Sequence, residues 1–346
     1  MTAADAIGKF VPDGCSISIA NFLHSTPFAL IHELIRQKKK DLLVWSQSGI
    51  EELDLLIGAG CTKKIITAYN FRAGGEWANG EFDRALNEGR LEVEDLSNFA
   101  VLAMLWAGAM GYNFIPVLKG IRETDIFKIS TILGGEKFKV VKDPFSGEDT
   151  VVVKGANPDV ALIHVQRCDR EGNAQYWGSI GNSKWASLAC KKIIVSTEQI
   201  VDHDVVRFSP HLTLIPGFRV DAVVEEPWGA HPAEALGAYN TDYGFRAMFF
   251  MHNITAVSMQ SFLKEWVYDC AGRAEYLAHY VERFGQAPLS RLRARTHPSY
   301  PADLGSANFS VWDERGYSEA LGMTRSEFDQ VLEKQGEVME WEIEEK

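Results

Sequence analysis

Two stretches of this chain are apolar at nearly every consecutive position rather than at alternate ones: Val160-Ala161-Leu162-Ile163-His164-Val165 and Ile193-Ile194-Val195. A strand with apolar residues on both faces must be covered on both sides, which is the habit of parallel sheets wrapped by helices. Further β-type runs at residues 16–20, 42–46, 64–68, 91–93, 151–153, 212–215 and 222–225 alternate with helical patterns at 28–37, 54–59, 82–88, 99–110 and 185–189. The alternation predicts an α/β fold, an open and mainly parallel sheet with helices on both faces. The polar, turn-rich segment 142–149 predicts a hairpin between two β-type runs. After residue 235 the pattern turns aromatic and helical, from Tyr243 through Tyr280. Residues 1–287 are therefore assigned to one α/β domain. Residues 288–346 form a helical C-terminal extension that packs on it or on a partner, with a short amphipathic helix at 325–334.

A chain of 346 residues with 46% apolar and 24% charged residues has the composition of a soluble globular enzyme. Its net charge of −12 argues against nucleic acid or an anionic membrane as partner, since either needs a basic patch. The basic run Lys38-Lys39-Lys40 reads as a solvated helix end. The five cysteines are widely spaced, with no CxxC pair, which fits a reducing cytoplasm and no zinc or redox motif. Residues 1–10 lack the basic start and apolar core of a signal peptide, and no apolar run has the length of a membrane span. A metal or resident cofactor is not expected.

The β-type run at 16–20 flows through a short polar loop into an amphipathic helix. Such a junction is where α/β proteins hold acyl, phosphoryl or cofactor groups. Thr26 is expected as the helix N-cap, Pro27 as its first residue, and Phe28, Ile31, Leu34 and Ile35 as its apolar face. His24 lies in that loop, where the positive helix end favours a neutral ring. Three more segments gather at the same sheet edge. Ser46-Gln47-Ser48-Gly49 offers hydroxyl and amide groups after one strand, and Tyr69-Asn70-Phe71-Arg72-Ala73-Gly74-Gly75-Glu76 forms a loop after the next. Ala107-Gly108-Ala109-Met110-Gly111 ends a helix with small residues, either as a C-cap or to let a backbone come close to a ligand. There is no Walker A loop, no GxSxG and no complete GxGxxG. Trp77, Trp106 and Trp228 are read as core packing in preference to a bulky acyl site.

Taken in order, these segments resemble the α subunit of family I CoA-transferases, most closely the glutaconate CoA-transferase branch. The resemblance is carried by Asp13-Gly14, Phe22, Pro27-Phe28-Ala29, His32-Glu33-Leu34-Ile35-Arg36 and Leu56-Ile57-Gly58-Ala59-Gly60. It continues through the Ala107 to Gly111 segment, Asp143-Pro144-Phe145, Asn157-Pro158-Asp159-Val160 and Asp169-Arg170-Glu171-Gly172-Asn173. Glu198-Gln199-Ile200-Val201, Pro216-Gly217-Phe218-Arg219 and Pro227-Trp228-Gly229-Ala230-His231-Pro232 complete it.

The resemblance implies an acyl-CoA thioester as substrate, a β-subunit partner in a hetero-oligomer, and transfer of CoA between an acyl-CoA and a carboxylic acid. The nucleophilic glutamate of such enzymes lies on the β subunit in a Ser-Glu-Asn-Gly-like setting, a tetrapeptide this chain lacks. Asn21, Phe22, His24, Ser25, Ser46, Ser48, Gly74, Gly75 and Asn98 are the residues expected at the substrate and its oxyanion. The family's usual Gly-Gly-Phe is replaced here by Ala20-Asn21-Phe22, which points to a different substrate. Related CoA-dependent ring-opening hydrolases carry their working glutamate on the α chain, at the position of Asn98 here. In a hydrolase reading Glu94 or Glu76 would serve instead. A third reading is a non-catalytic subunit that stabilises its partner.

Overall fold

Seven parallel strands form the centre of the computed structural model, which describes residues 1–20, 24–70 and 80–294. They are β1 (Ser16–Ile19), β2 (Leu42–Gly49), β3 (Thr62–Asn70), β4 (Glu92–Asp95), β5 (Val160–Val165), β6 (Lys192–Thr197) and β7 (Ala222–Glu225). Their spatial order is β7-β6-β5-β1-β2-β3-β4, and every neighbouring pair is parallel. The order reverses at β1. In sheets of this kind ligands enter the crevice beyond the carboxyl ends of the strands at that reversal, here between β1 and β5.

The doubly apolar strands behave as their composition requires. All six residues of β5 are buried, as are five of the six in β6. Helices cover both faces. On one side α1 (Ala3–Phe10), α2 (Phe28–Arg36) and α3 (Glu51–Gly58) pack with α4 (Glu81–Asn87) against Ile17, Val44, Ile65 and Leu162. On the other, α5 (Asn98–Ala109) and α6 (Ser183–Leu188) meet Trp45, Ile66, Ile163 and Val195. The aromatic segment folds into α7 (Tyr243–His252), α8 (Ala256–Leu263), a π-helical turn (Lys264–Tyr268) and α9 (Arg273–Phe284), and its Phe249, Phe262 and Trp266 join the first core. Then α10 (Gln286–Leu292) runs across the 287/288 division and buries Leu289 and Leu292 in that core. The expected helix at 325–334 lies outside the described residues.

Several boundaries differ from those read in the sequence, each for a tertiary reason. The 151–153 run belongs to Asp149–Lys154, which pairs antiparallel with Phe138–Lys142 as the expected hairpin, in a side sheet with Phe114–Pro116. The 212–215 run contributes Thr213–Ile215 to a second, four-stranded side sheet. Ser46-Gln47-Ser48-Gly49 and Tyr69-Asn70 are strand, not loop, because β2 and β3 keep pairing as far as Gly49 and Asn70. Thr26 is not the cap of α2, and Pro27 is not its first residue. Pro27 occupies the N-cap position without a side-chain bond, and the Ala29 N–H instead donates to the Gly229 carbonyl at 2.9 Å. A carbonyl brought in by the fold satisfies a group that the sequence reading left to a side chain. The first helix, α1, was passed over, although Thr2 caps it by accepting from the Asp5 N–H.

The small-residue end of α5 forms the expected C-cap, and the backbone that comes close to it is the protein's own rather than the edge of a ligand site. Gly111 takes a φ of +72°, with Tyr112 N–H donating to Ala107 O (2.8 Å) and Gly111 N–H to Gly108 O (3.1 Å), a Schellman end. A Cβ on Gly108 would stand 1.8 Å from the Ala156 carbonyl oxygen. Gly108→Ala should therefore cost about 3 kcal/mol of unfolding free energy by overpacking. Gly111→Ala should cost about 1 kcal/mol for the left-handed backbone alone. Denaturant melts of both variants check the ranking, and equal losses would contradict it.

Candidate functional site

The loop leaving β1 is held in place from the far end of the chain. His24 contacts a Glu234 carboxylate oxygen through Nδ1, and the Thr241 hydroxyl donates to the other oxygen. Ser25 adopts a left-handed φ of 52° and donates its N–H to the Glu234 carbonyl at 2.9 Å. A non-glycine residue keeps that conformation only where its surroundings impose it. The hydrogen bond from Glu234 raises the His24 pKa, and this outweighs burial and the nearby Arg246 charge, which act the other way. The shift runs opposite to the one expected from the helix end, because a partly buried carboxylate in contact with the ring acts at shorter range than a helix terminus. Burial alone would raise Glu234, but His24 and Thr241 hold it below the usual carboxylate range. The side chain of His24 is 32% exposed, and it is Nδ1 that faces Glu234. Arg246 in turn clamps Glu51, at the start of α3, donating from Nε and Nη2 to the two carboxylate oxygens.

Beyond β5, Gln166 sends Nε2 to the carbonyls of Trp177 (3.0 Å) and Leu236 (3.1 Å), joining the segments that close the crevice. Beyond β6, Glu198 accepts from His164 Nε2 (2.7 Å), Tyr239 OH (2.7 Å), Trp228 N–H (2.8 Å) and Gly229 N–H (3.1 Å). Burial by itself would raise the Glu198 pKa, but these donors and the His164 ring lower it. Trp228 is core, stacked on Tyr239 at 4.2 Å between ring centroids. Trp106 is exposed on α5, with its ring 6.1 Å from that of Trp185.

The expected site residues fall into distinct settings. His24 and Ser25 stand at the β1 exit. Ser46 and Ser48 are buried within β2, with hydroxyls that meet no partner among the described residues. Their register places them on the α3 face, opposite Gln47, which sits on the α5 face beside Asn98. Asn98 is the first residue of α5 and is exposed. Glu94 is bound into the structure. It pairs with Lys137 Nζ at 2.7 Å, and one of its oxygens accepts from Ser130 Oγ and the N–H groups of Thr131, Ile132 and Leu133. Burial alone would raise its pKa, and these partners lower it instead. A carboxylate held this way makes a poor proton acceptor. Asn21, Phe22, Gly74, Gly75 and Glu76, with Trp77, lie outside the described residues.

Glu234, Gln166 and the role of Glu198 were missed. Only the neighbouring Pro227 to Pro232 segment marked that stretch of sequence, and nothing local ties Glu234 to His24. Asp169, Glu171 and His203 offer the geometry of a metal cluster. Asp169 already accepts from the Asn173 N–H and side-chain amide, both at 2.7 Å, and from His203 at 2.8 Å, so the group closes a turn in the four-stranded side sheet. No helix among the described residues is long and apolar enough to cross a membrane.

Comparison with known proteins agrees with this architecture. Residues 1–226 match the family model described as Coenzyme A transferase. The α subunit of glutaconate CoA-transferase from Acidaminococcus fermentans is 32% identical over 315 residues, covering 88% of this chain and 97% of that one. Its crystal structure superposes with a TM-score of 0.77 at 31% identity, over the same shares of both chains. The corresponding subunit of 3-oxoadipate CoA-transferase from Pseudomonas knackmussii is 36% identical over 251 residues, 71% of this chain and 85% of that one. An uncharacterized protein of Archaeoglobus fulgidus is 34% identical over 309 residues, 87% of this chain, which spans 66% of the length of that relative. The chain belongs to the coenzyme A transferase family.

Proposed function

We propose that this chain is the α subunit of a two-component CoA-transferase, moving CoA between an acyl-CoA and a carboxylic acid at the β1/β5 crevice. The observation that carries the reading is the match over 97% of the α subunit of a glutaconate CoA-transferase. The commitment of four described glutamates at and around the carboxyl edge of the sheet supports the division of labour. Glu51, Glu94, Glu198 and Glu234 are each engaged by partners within this chain, so none is free to attack a thioester. In this reading the nucleophile is a glutamate of the β subunit. Its carboxylate attacks the thioester carbonyl, the C–S bond breaks, and CoA leaves as thiolate from an acyl-glutamyl anhydride. The thiolate then attacks the glutamyl carbonyl and releases the first carboxylate, leaving a glutamyl-CoA thioester. The acceptor acid repeats these steps in reverse order.

Two tetrahedral intermediates arise in each half of that sequence, and each places negative charge on a carbonyl oxygen. Hydrogen-bond donors fixed at that oxygen supply the main stabilisation. His24, oriented by Glu234 and kept charged to higher pH, is the donor we assign to this chain. Asn21 and the Gly74-Gly75 segment are proposed as further lining, and Ser46 and Ser48 as polar contacts behind it. A cytoplasmic hetero-oligomer fits the reading.

Purified alone, the chain should show no CoA transfer, while the complex with its β partner should. Full transfer by the isolated chain would sink the division of labour. His24→Gln in the complex should lower kcat/KM by about 10²-fold, the scale of one lost oxyanion donor. Because the His24 pKa is raised, activity should hold below that value and fall as pH rises through it. Glu234→Gln removes the largest raising influence, so the fall should move to lower pH. A pH–rate profile that does not move in Glu234→Gln would contradict the assignment.

A further inference from the structure

Three carboxamide side chains lie where β2 and β3 end, on the face of the sheet that α5 covers. Ser46 pairs with Thr67, Ser48 with Tyr69 and Gly49 with Asn70. That register sets Gln47 against Ala68 and carries Asn70 one step further along the same face. Trp45 and Ile66, the previous residues on this face, pack with Val101 and Met104 of α5. The cluster therefore lies just beyond the apolar core, at the open end of the sheet. Gln47 is 8% exposed and reaches Asn98, the first residue of α5, through Nε2 at 3.4 Å. Its Oε1 has no hydrogen-bond partner among the described residues, and neither has Asn70 Nδ2 or Oδ1, although all three atoms are shielded from solvent.

Buried polar atoms are almost always paired, so three orphans in one patch ask for a ligand group that completes them. They comprise two acceptors and one donor. A hydroxyl both donates and accepts, and it matches that set. A ketone or carboxylate has no proton to give and would face the Gln47 oxygen with another oxygen. Lys137, the lysine paired with Glu94 at the end of β4, is committed to that ion pair and is not free to neutralise a buried carboxylate. We infer that Gln47, Asn70 and Asn98 form an acyl-recognition subsite for a hydroxyl group, so the preferred substrates are hydroxyacyl thioesters. The inference rests on the reading of the crevice as an acyl-CoA site.

The test uses the two-subunit complex and four straight-chain acyl-CoAs of equal length: hydroxylated, keto, unsubstituted, and ending in a carboxylate. The hydroxyacyl-CoA should exceed the unsubstituted one in kcat/KM by about tenfold, and the keto and carboxylate compounds should not match it. The size-conserving variant Gln47→Met and the variant Asn70→Ala should each shrink that preference to within about threefold. A best substrate ending in carboxylate, or an equal loss on all four in Gln47→Met, overturns the subsite. If none of the four supports transfer, the transferase reading itself fails. Calorimetric titration of the complex with the free hydroxy acid and its unsubstituted analogue then decides the subsite separately. Preferential binding of the hydroxy acid that Gln47→Met abolishes upholds it, and equal binding of the two acids overturns it.

Discussion

The partly buried carboxylate of Glu198 fixes the frame on which the crevice depends. It sits at the carboxyl end of β6 and draws four donors to one point: a histidine ring from β5, a tyrosine hydroxyl, and two successive backbone N–H groups at Trp228 and Gly229. A charge in that position is tolerable only when every lone pair is answered, and removing one partner would leave it costly. The consequence reaches beyond the carboxylate. Gly229, held by Glu198, offers its own carbonyl to the first turn of α2, and the chain that follows supplies Glu234 to His24. No side chain fits at Gly229, since a Cβ there would lie 2.6 Å from the His164 ring. One anion thus couples the two halves of the sheet on either side of the strand-order reversal to the loop that leaves β1.

The sheet itself was legible in the sequence because its cause is local. Val160–Val165 and Lys192–Thr197 are apolar enough to demand cover on both faces, and the alternation with helical patterns leaves a parallel sheet as the economical arrangement. The ends of elements were less legible. β2 continues through Ser46, Gln47 and Ser48 because β3 runs beside it, a pairing that polar composition does not announce. The start of α2 was misplaced for a related reason: its free N–H is met by a carbonyl two hundred residues away, not by Thr26.

Site residues followed the same division. His24 was identified from its place in a strand–loop–helix junction, but its protonation was not, because Glu234 is distant in sequence and adjacent only in the fold. Ser46 and Ser48 were chosen over Gln47 for their hydroxyls. The pleat reverses that choice for the α5 face, since residues of a strand alternate between faces and Gln47 alone of the three points toward Asn98. Glu94 was a reasonable acid by position. Its five donors, including Lys137, show a carboxylate engaged in holding the 130–133 segment. Chemistry legible as residue type became assignable only once partners were visible.

In the proposed reaction this chain shapes and polarises the acyl site while its partner supplies the nucleophile. That division is tested most directly by incubating the complex with an acyl-CoA alone, withholding the acceptor acid, and measuring the intact mass of each subunit. A CoA adduct should form on a glutamate of the β partner, with this chain unmodified. A CoA or acyl adduct carried by a glutamate of this chain would contradict that division.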